Sequence, residues 1–348
     1  MSVALDFGSS EFRTLRRQDN RLIARRIPAV YTAVENSVAH RRLLDQLHVP
    51  YSESGGSFIV IGEPAWEVAG LLSRPLIPVL HEGKIPSDDH PTRQICAWMV
   101  DSLLPPTSGE QSRCIASTAC LTGQDLASIE TVSFLMHLVQ LRGYEFETLA
   151  QTDALALAEL EDEGFTGATL SIGAEFTEFA ICNLGQPVFR GSTSHGMRKI
   201  VQKLAQRKQQ LVWDQQGNAY ADTHRVEHWL NQGEVQVDPH RDDDENWLAQ
   251  AIEEMLLASL IPVQRKLQNR HRLELRDQLP LVISGGACRL TGFEGILRES
   301  LRLAELPLVF SSIRRAAFDP YSVARGLLIH DAVEHGNPIS VLQPREAA

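Results

Sequence analysis

Residues 4–10 read ALDFGSS, an apolar run that ends on Asp6 and passes at once into Gly8, Ser9 and Ser10. Two readings fit. Asp, Gly and Ser are the residues that tight turns use, so a plain hairpin accounts for them. They also suit a phosphate site: successive backbone N–H groups in a Gly/Ser turn form an anion-binding concavity, and a carboxylate at the strand end can hold a hydrated Mg²⁺. The stretch alone leaves both open, and the choice turns on what surrounds it.

Outward from that stretch, residues 3–34 read as an antiparallel meander: strand, turn, strand, a polar turn at Gln18-Asp19-Asn20, and a third strand running through RLIARRIPAVYTAV. The arginines at 13, 16, 17, 21, 25 and 26 are expected to be solvated charges guarding the hairpin edge, with an acidic partner surface as the alternative. A short helix (HRRLLDQLHV) follows, then a strand leading into a helix (FIVIGEPAWEVAGLL). PTRQICAWMVDSLL is an amphipathic helix with Pro91 in its first turn, CIASTACLT a β-rich run, and DLASIETVSFLMHLVQLRGY a helix stopped at Gly143. TLAQTDALALAELEDEGF is a further helix that ends at Gly164.

At residue 168 the opening pattern returns. ATLSIGAEFTEFAICN gives strand, turn at Gly173, strand, and LGQPVFRGSTS supplies the third strand of a second meander, so the chain reads as two similar halves. After it come a helix (HGMRKIVQKLAQRKQQL), a polar insertion, a long helix from Trp247 to about Gln268, the strand LPLVISGG, a helix, the strand LPLVFSS and a closing helix (DPYSVARGLLIHDAVE). The run Asp242, Asp243, Asp244, Glu245 is expected to mark a helix N-terminus, where carboxylates are favourable, and not a metal site.

Bulk properties bound the answer. At 348 residues the chain should hold about two domains. With 44 acidic against 33 basic side chains, the net charge of −11 argues against a general nucleic-acid binder. Cys96, Cys114, Cys120, Cys182 and Cys288 show no paired spacing and read as reduced core thiols of a cytoplasmic protein. Asp6 interrupts any apolar signal core, so no secretion is expected. The apolar stretch at 252–263 is short, carries two glutamates and contains Pro262, too little to span a bilayer of about 30 Å.

Three Gly-bearing turns thus stand at strand ends: ALDFGSS, LSIGAEFTE and VISGGACRLTGF. In this order they resemble the phosphate-1, phosphate-2 and adenosine motifs of the actin, heat-shock chaperone and sugar kinase superfamily. The resemblance is nearest to the bacterial MreB family, and further segments carry it. IVIGEPAWEVAGLLSRPLIPVLHEGKI is similar to the V-G-x-x-A and R-P-x-x-x-G-x-I segments, LRGYEFETLAQTDALALA to the first connecting helix, and DPYSVARGLLIHDA to the second with its P-x-x-x-A-x-G core.

The resemblance implies an α/β protein of two duplicated actin-like (ribonuclease-H-like) domains with a nucleotide cleft between them. Residues 1–150 plus 315–348 would form domain I, and 151–314 domain II with a polar insertion near 214–246. ATP and Mg²⁺ would bind in the cleft. Asp6 would orient the metal's waters, and Gly8, Ser9 and Ser10 would offer donors to the phosphates. Gly173 and Thr177 would belong to the second phosphate turn, and Gly285, Gly286 and Ala287 would let the backbone pass close to the adenosine. Self-association into filaments is implied, with a membrane-associated protein partner, no nucleic acid, and a cytoplasmic location peripheral to the inner membrane through that partner. The family's amphipathic anchor is not expected, since a strand begins at once.

Several positions depart from the family pattern. Ser171 stands where the family has a metal-organising aspartate, and Ala174 and Glu175 stand where it has glycines. A Glu175 carboxylate pointing at phosphate would repel it by roughly 4 kcal/mol per pair of charges about 4 Å apart at an effective dielectric near 20. Either Glu175 points away or ATP binds weakly. The residue that holds the hydrolytic water counts to Thr131, with Glu130 beside it as the catalytic candidate, and Thr152-Asp153 replaces the connecting E-P. His195 and Gly196 are explained by a helix start. Three functions follow: a filament-forming ATP-binding protein, a non-hydrolysing scaffold on the same fold, and a small-molecule kinase with Asp153 as its base.

Overall fold

The structure is a computed structural model describing residues 2–18, 21–107, 112–118, 125–269 and 278–335. In the first half β1 (Ser2–Phe7), β2 (Glu11–Gln18) and β3 (Arg21–Pro28) are followed by β4 (Val30–Glu35), α1 (Val38–Gln46), β5 (Ser52–Ser54) and β6 (Ser57–Ile61). Then come α2 (Glu63–Leu72), β7 (Ile77–Pro78), α3 (His90–Leu103), β8 (Arg113–Thr118), α4 (Leu126–Leu141) and β9 (Glu145–Thr148). The second half holds α5 (Gln151–Glu159), β10 (Gly167–Ile172), β11 (Thr177–Asn183), β12 (Gln186–Thr193), α6 (Met197–Arg207), β13 (Leu211–Trp213), β14 (Ala219–Ala221) and α7 (Thr223–Asn231). It closes with α8 (Asp243–Gln268), β15 (Leu279–Ser284), α9 (Phe293–Leu303), β16 (Phe310–Arg315) and α10 (Ser322–Glu334).

The duplication is explicit in the two five-stranded sheets, ordered β3-β2-β1-β8-β9 and β12-β11-β10-β15-β16. In each, the central strand pairs antiparallel with the meander on one side and parallel with a later strand on the other. Those central strands are buried on both faces, which is why they read as continuous apolar runs. A four-stranded sheet, β5-β6-β4-β7, sits on the first half and the hairpin β13-β14 on the second.

Where elements differ from the sequence reading, the backbone gives the reason. The third strand of the first meander does not run through Val34. Pro28 has no N–H to extend the ladder, the next amide, Ala29, turns to the Ser10 carbonyl at 2.8 Å, and β4 joins the small sheet instead. The segment 145–148, half polar, forms an edge strand parallel to β8. α5 stops at Glu159, short of Gly164, and the last predicted strand sits at Phe310–Arg315, later than 306–312. α8 starts four residues before Trp247, at Asp243. Asp242 caps it by accepting from Glu245 N, and carboxylates fill its first turn. Cys96, Cys114, Cys182 and Cys288 are buried free thiols, while Cys120 lies outside the described residues. No described helix is long and apolar enough to cross a membrane.

Each sheet buries its outer face under its own helices. Leu248, Ile252, Leu256 and Leu260 of α8 and Phe293 and Leu297 of α9 cover the second, and Ile95, Met99, Leu135 and Val139 from α3 and α4 cover the first. Between the sheets cross α5 and α10. Val323, Ala324 and Leu327 of α10 pack with Ala4, Leu15 and Ile115 of the first sheet and Ala154 of α5. The crossing is closest at Gly326, where a Cβ would overlap the Ala154 carbonyl oxygen. Glu159 at the end of α5 locks the second crossing helix in place, accepting from Arg314 Nη1 (2.9 Å), Ala317 N (2.9 Å), Phe318 N (3.4 Å) and Ser322 Oγ (2.8 Å).

Candidate functional site

The first turn follows β1. Phe7 and Phe12 face each other edge-on across it, centroids 5.2 Å apart, so the hairpin closes on an apolar pair. A Cβ on Gly8 would come within 2.8 Å of the Glu11 carbonyl oxygen, which keeps that position glycine. Asp6 is 2 % exposed. Its Oδ2 accepts from Arg13 Nη1 at 3.2 Å, its register partner on β2, and its Oδ1 from Gln151 Nε2 at 3.1 Å. Burial pushes the Asp6 carboxyl above its ordinary value, against the lowering pull of Arg13. Arg13 therefore departs from the solvated edge read for the arginines: it turns inward, onto the site. Ser9 is buried and Ser10 exposed.

The second turn builds the start of the next helix. Gly173 N donates to Phe176 O at 2.8 Å, while the Gly173 and Ala174 carbonyls accept from Met197 N (3.1 Å) and Arg198 N (2.8 Å), the first amides of α6. A Cβ on Gly196, the N-cap residue, would overlap Ala174 O. Thr177 Oγ1 donates to His195 O at 2.8 Å, so this candidate hydroxyl holds the approach to α6.

Arg198 is thereby fixed between the turns. Its Nε forms an ion pair with Glu175 of the second turn, and its Nη2 donates to the Ser9 carbonyl of the first at 2.6 Å. Both side chains are largely buried, 13 % and 6 % exposed. Glu175 thus points inward and brings its own counter-charge. Glu227 of α7 lies within electrostatic reach of Arg198, and burial lifts its carboxyl to about 7 although that guanidinium opposes the shift. The Phe176 ring of the second turn packs on Gly83, in the loop before α3, where any Cβ would strike it.

The third turn leans on the second. Gly285 adopts φ +117°, open in practice only to glycine, and a Cβ there would overlap the Ile172 carbonyl at the end of β10. A Cβ on Gly286 would meet nothing within 4 Å, so that residue presents an open backbone face, while Ala287 is buried in the core below. Ser284 Oγ donates to Asp319 Oδ1 at 3.3 Å, and Arg289 pairs with the same carboxylate at 3.0 Å. Asp319 also acts electrostatically on Arg13. The three turns converge: first to second through Arg198, second to third through Gly285.

Beneath them, on the face of the second sheet that meets α5, Ser171, Glu178 and Ser192 stand opposite one another on adjacent strands. Glu178 is 5 % exposed, and its Oε2 has no hydrogen-bond partner among the described residues. Burial, with the charges of Asp153 and Asp6 adding to it, pushes its carboxyl to about 8. It lines a cavity of about 180 Å³ with Thr152, Arg190, Gly191, Ser192 and Lys266. Asp153 accepts from Arg190 at both oxygens, so the one candidate base for a kinase is already paired. Glu130 is half-buried on α4, and among the described residues no hydrogen bond or ion pair joins it to the turns. At the neighbouring position Thr131 Oγ1 accepts from Ile85 N at 3.0 Å and donates to Ala127 O at 2.8 Å.

Arg198, the inward Arg13, and Glu178 with Gln151 are site residues that the sequence reading did not single out. One signal was present for Arg198: a charge at Glu175 inside a turn asks for a counter-charge, and Arg198 follows the helix-starting glycine by two residues.

Similarity to known proteins agrees with this geometry. A structure described as a MamK double helical filament superposes with a TM-score of 0.64 at 14 % identity, covering 94 % of this chain and 99 % of that one. MreB5 of Spiroplasma citri bound to AMPPNP gives 0.64 at 13 % identity, with 97 % of each chain covered. The ADP-bound form gives 0.59 over the same shares at the same identity. These likenesses establish an actin-like fold. No curated protein sequence matches the chain. The model of the Volactin family matches residues 1–331, nearly the whole chain, and the chain belongs to that family.

Proposed function

We propose that this chain is a divergent actin-type protein that binds ATP with Mg²⁺ and assembles into cytoskeletal filaments, with hydrolysis weakened relative to MreB. The observation that carries the reading is the convergence of the three turns between two sheets of identical order. The residues suit a nucleotide unequally. On the adenosine side the backbone at Gly286, held by Gly285 and Ala287, is open where a Cβ would stand, the close approach that an adenosine would need. On the phosphate side Gly8, Ser9, Ser10 and Gly173 supply small turn residues, and Asp6 supplies the buried carboxylate for the metal's water shell. That side is spanned by Arg198, which must move for phosphates to enter. A bound nucleotide and metal would supply charge between the two halves and a phosphoanhydride bond open to hydrolysis. The chain's own role is to present amides and cations to that charge, and to fix the Asp6 carboxyl in place through Arg13 and Gln151.

Weak hydrolysis follows from Ser171 in place of an aspartate and from Thr131, whose hydroxyl is bound to backbone at both ends. These same observations favour a second reading, a scaffold that binds nucleotide without turnover and engages a membrane-associated protein partner from the cytoplasm. Self-association draws support from the likeness to MamK, whose structure is a filament; a head-to-tail contact on this fold makes open filaments. Sedimentation with MgATP, with MgADP and without nucleotide tests assembly, and phosphate release separates the readings. Pelleting with slow release supports the filament, and a chain that stays monomeric at high concentration throughout contradicts it; nucleotide binding without release supports the scaffold, and fast release contradicts it.

A further inference from the structure

Arg198 does something that neither turn chemistry nor helix capping requires. Its backbone N–H is spent on the Ala174 carbonyl, so its Cα travels with the second turn, yet its guanidinium reaches the first turn at Ser9 O (2.6 Å). Glu175 holds the Nε side of the same group. The cation therefore stands, largely buried, in the gap that a nucleotide's outer phosphates must enter on the reading given above. A guanidinium there has a better partner available than a neutral carbonyl. Bonds to phosphate are charge-assisted, roughly twice as strong, and commonly bidentate, because the planar fork matches two oxygens at once.

Resting on that nucleotide reading, we propose that Arg198 is the residue by which this chain distinguishes a nucleoside triphosphate from a diphosphate: it ties the turns together through Ser9 and Glu175, and exchanges the Ser9 carbonyl for the terminal phosphate when a triphosphate binds. Glu175 sets the sensitivity of the exchange. Its ion pair draws the guanidinium toward the second turn, and its charge repels the incoming phosphate. On this proposal a diphosphate leaves Arg198 on the Ser9 carbonyl.

The test is the ratio of ATP to ADP affinity, measured by calorimetry with Mg²⁺ on the full chain. Arg198→Ala alone leaves Glu175 buried and unpaired, which endangers folding, so the decisive variant pairs it with Glu175→Gln. Wild type is expected to favour ATP at least about 10-fold, and the double variant to fall to a ratio near one with ADP affinity within about threefold of wild type. Glu175→Gln alone should tighten ATP about 10-fold, and Arg198→Lys should keep a fraction of the preference as a single point charge. Without nucleotide, the double variant should melt at a lower temperature than wild type because the tie between the turns is lost. An unchanged ratio in the double variant, or parallel loss of ATP and ADP affinity, overturns the role of Arg198 while leaving the nucleotide reading standing. Binding of neither nucleotide by wild type brings down the nucleotide reading itself, and this proposal with it.

Discussion

Glu178 carries the most displaced carboxyl of the site that has no partner of opposite charge bonded to it. Its folded value of about 8 lies above the ordinary 4.5, so between those values the folded chain holds a proton that the unfolded chain has released. Stability contributed through this group therefore falls as pH rises from about 4.5 to about 8, then levels. Glu178→Gln keeps the shape and removes the titration. It should raise the melting temperature at pH 9 by several degrees and change it little at pH 5; equal differences at both pH values would contradict the assignment. Glu227, lifted to about 7, slopes the same way, so Glu227→Gln serves as the control. The two glycines of the third turn separate stability from binding. Gly285→Ala, at φ +117° and against Ile172, should cost roughly 3 kcal/mol or more in denaturant unfolding. Gly286→Ala should stay within about 0.5 kcal/mol of wild type while weakening MgATP. Legibility at this scale was uneven. Asp6, Gly8 and Gly285 declare themselves by type and place, whereas the direction in which Arg13, Glu175 and Glu178 point is set by register and by neighbours distant in sequence.

Among the elements, the crossing of α5 and α10 decides how the halves are joined. Both helices read clearly from the sequence, because each carries a run of small and apolar residues. Their contact at Gly326 and Ala154, however, depends on an approach that only tertiary packing defines. Gly326→Ala must push the two helix backbones apart and should cost about 3 kcal/mol, read by urea unfolding. Glu159→Ala strips the carboxylate from Arg314, two amides and Ser322 at once and should cost on the order of 3–5 kcal/mol. A loss under about 1 kcal/mol would show that solvent replaces that hub. The strand that breaks at Pro28 and the polar edge strand β9 were not legible for a related reason. A sheet boundary is made by where hydrogen bonds go, and residues 21–34 are strand-like throughout, with nothing but Pro28 to mark the change of partner.

For the molecule as a whole, the duplication was the most legible feature, since a meander followed by helices and parallel strands leaves the same trace twice. The matching sheet orders carry that trace into the structure. The state of the cleft was not legible. Whether turns of this kind stand open or are bridged depends on one arginine reaching between halves whose bonded residues lie 189 apart in the chain. The central claim is that this bridged gap admits a nucleoside triphosphate. Calorimetric titration of wild type and Asp6→Ala with MgATP tests it most directly. The account predicts saturable one-to-one binding by wild type, weakened at least about 10-fold in a folded Asp6→Ala chain. No binding by wild type, or equal affinity in the two, would contradict it.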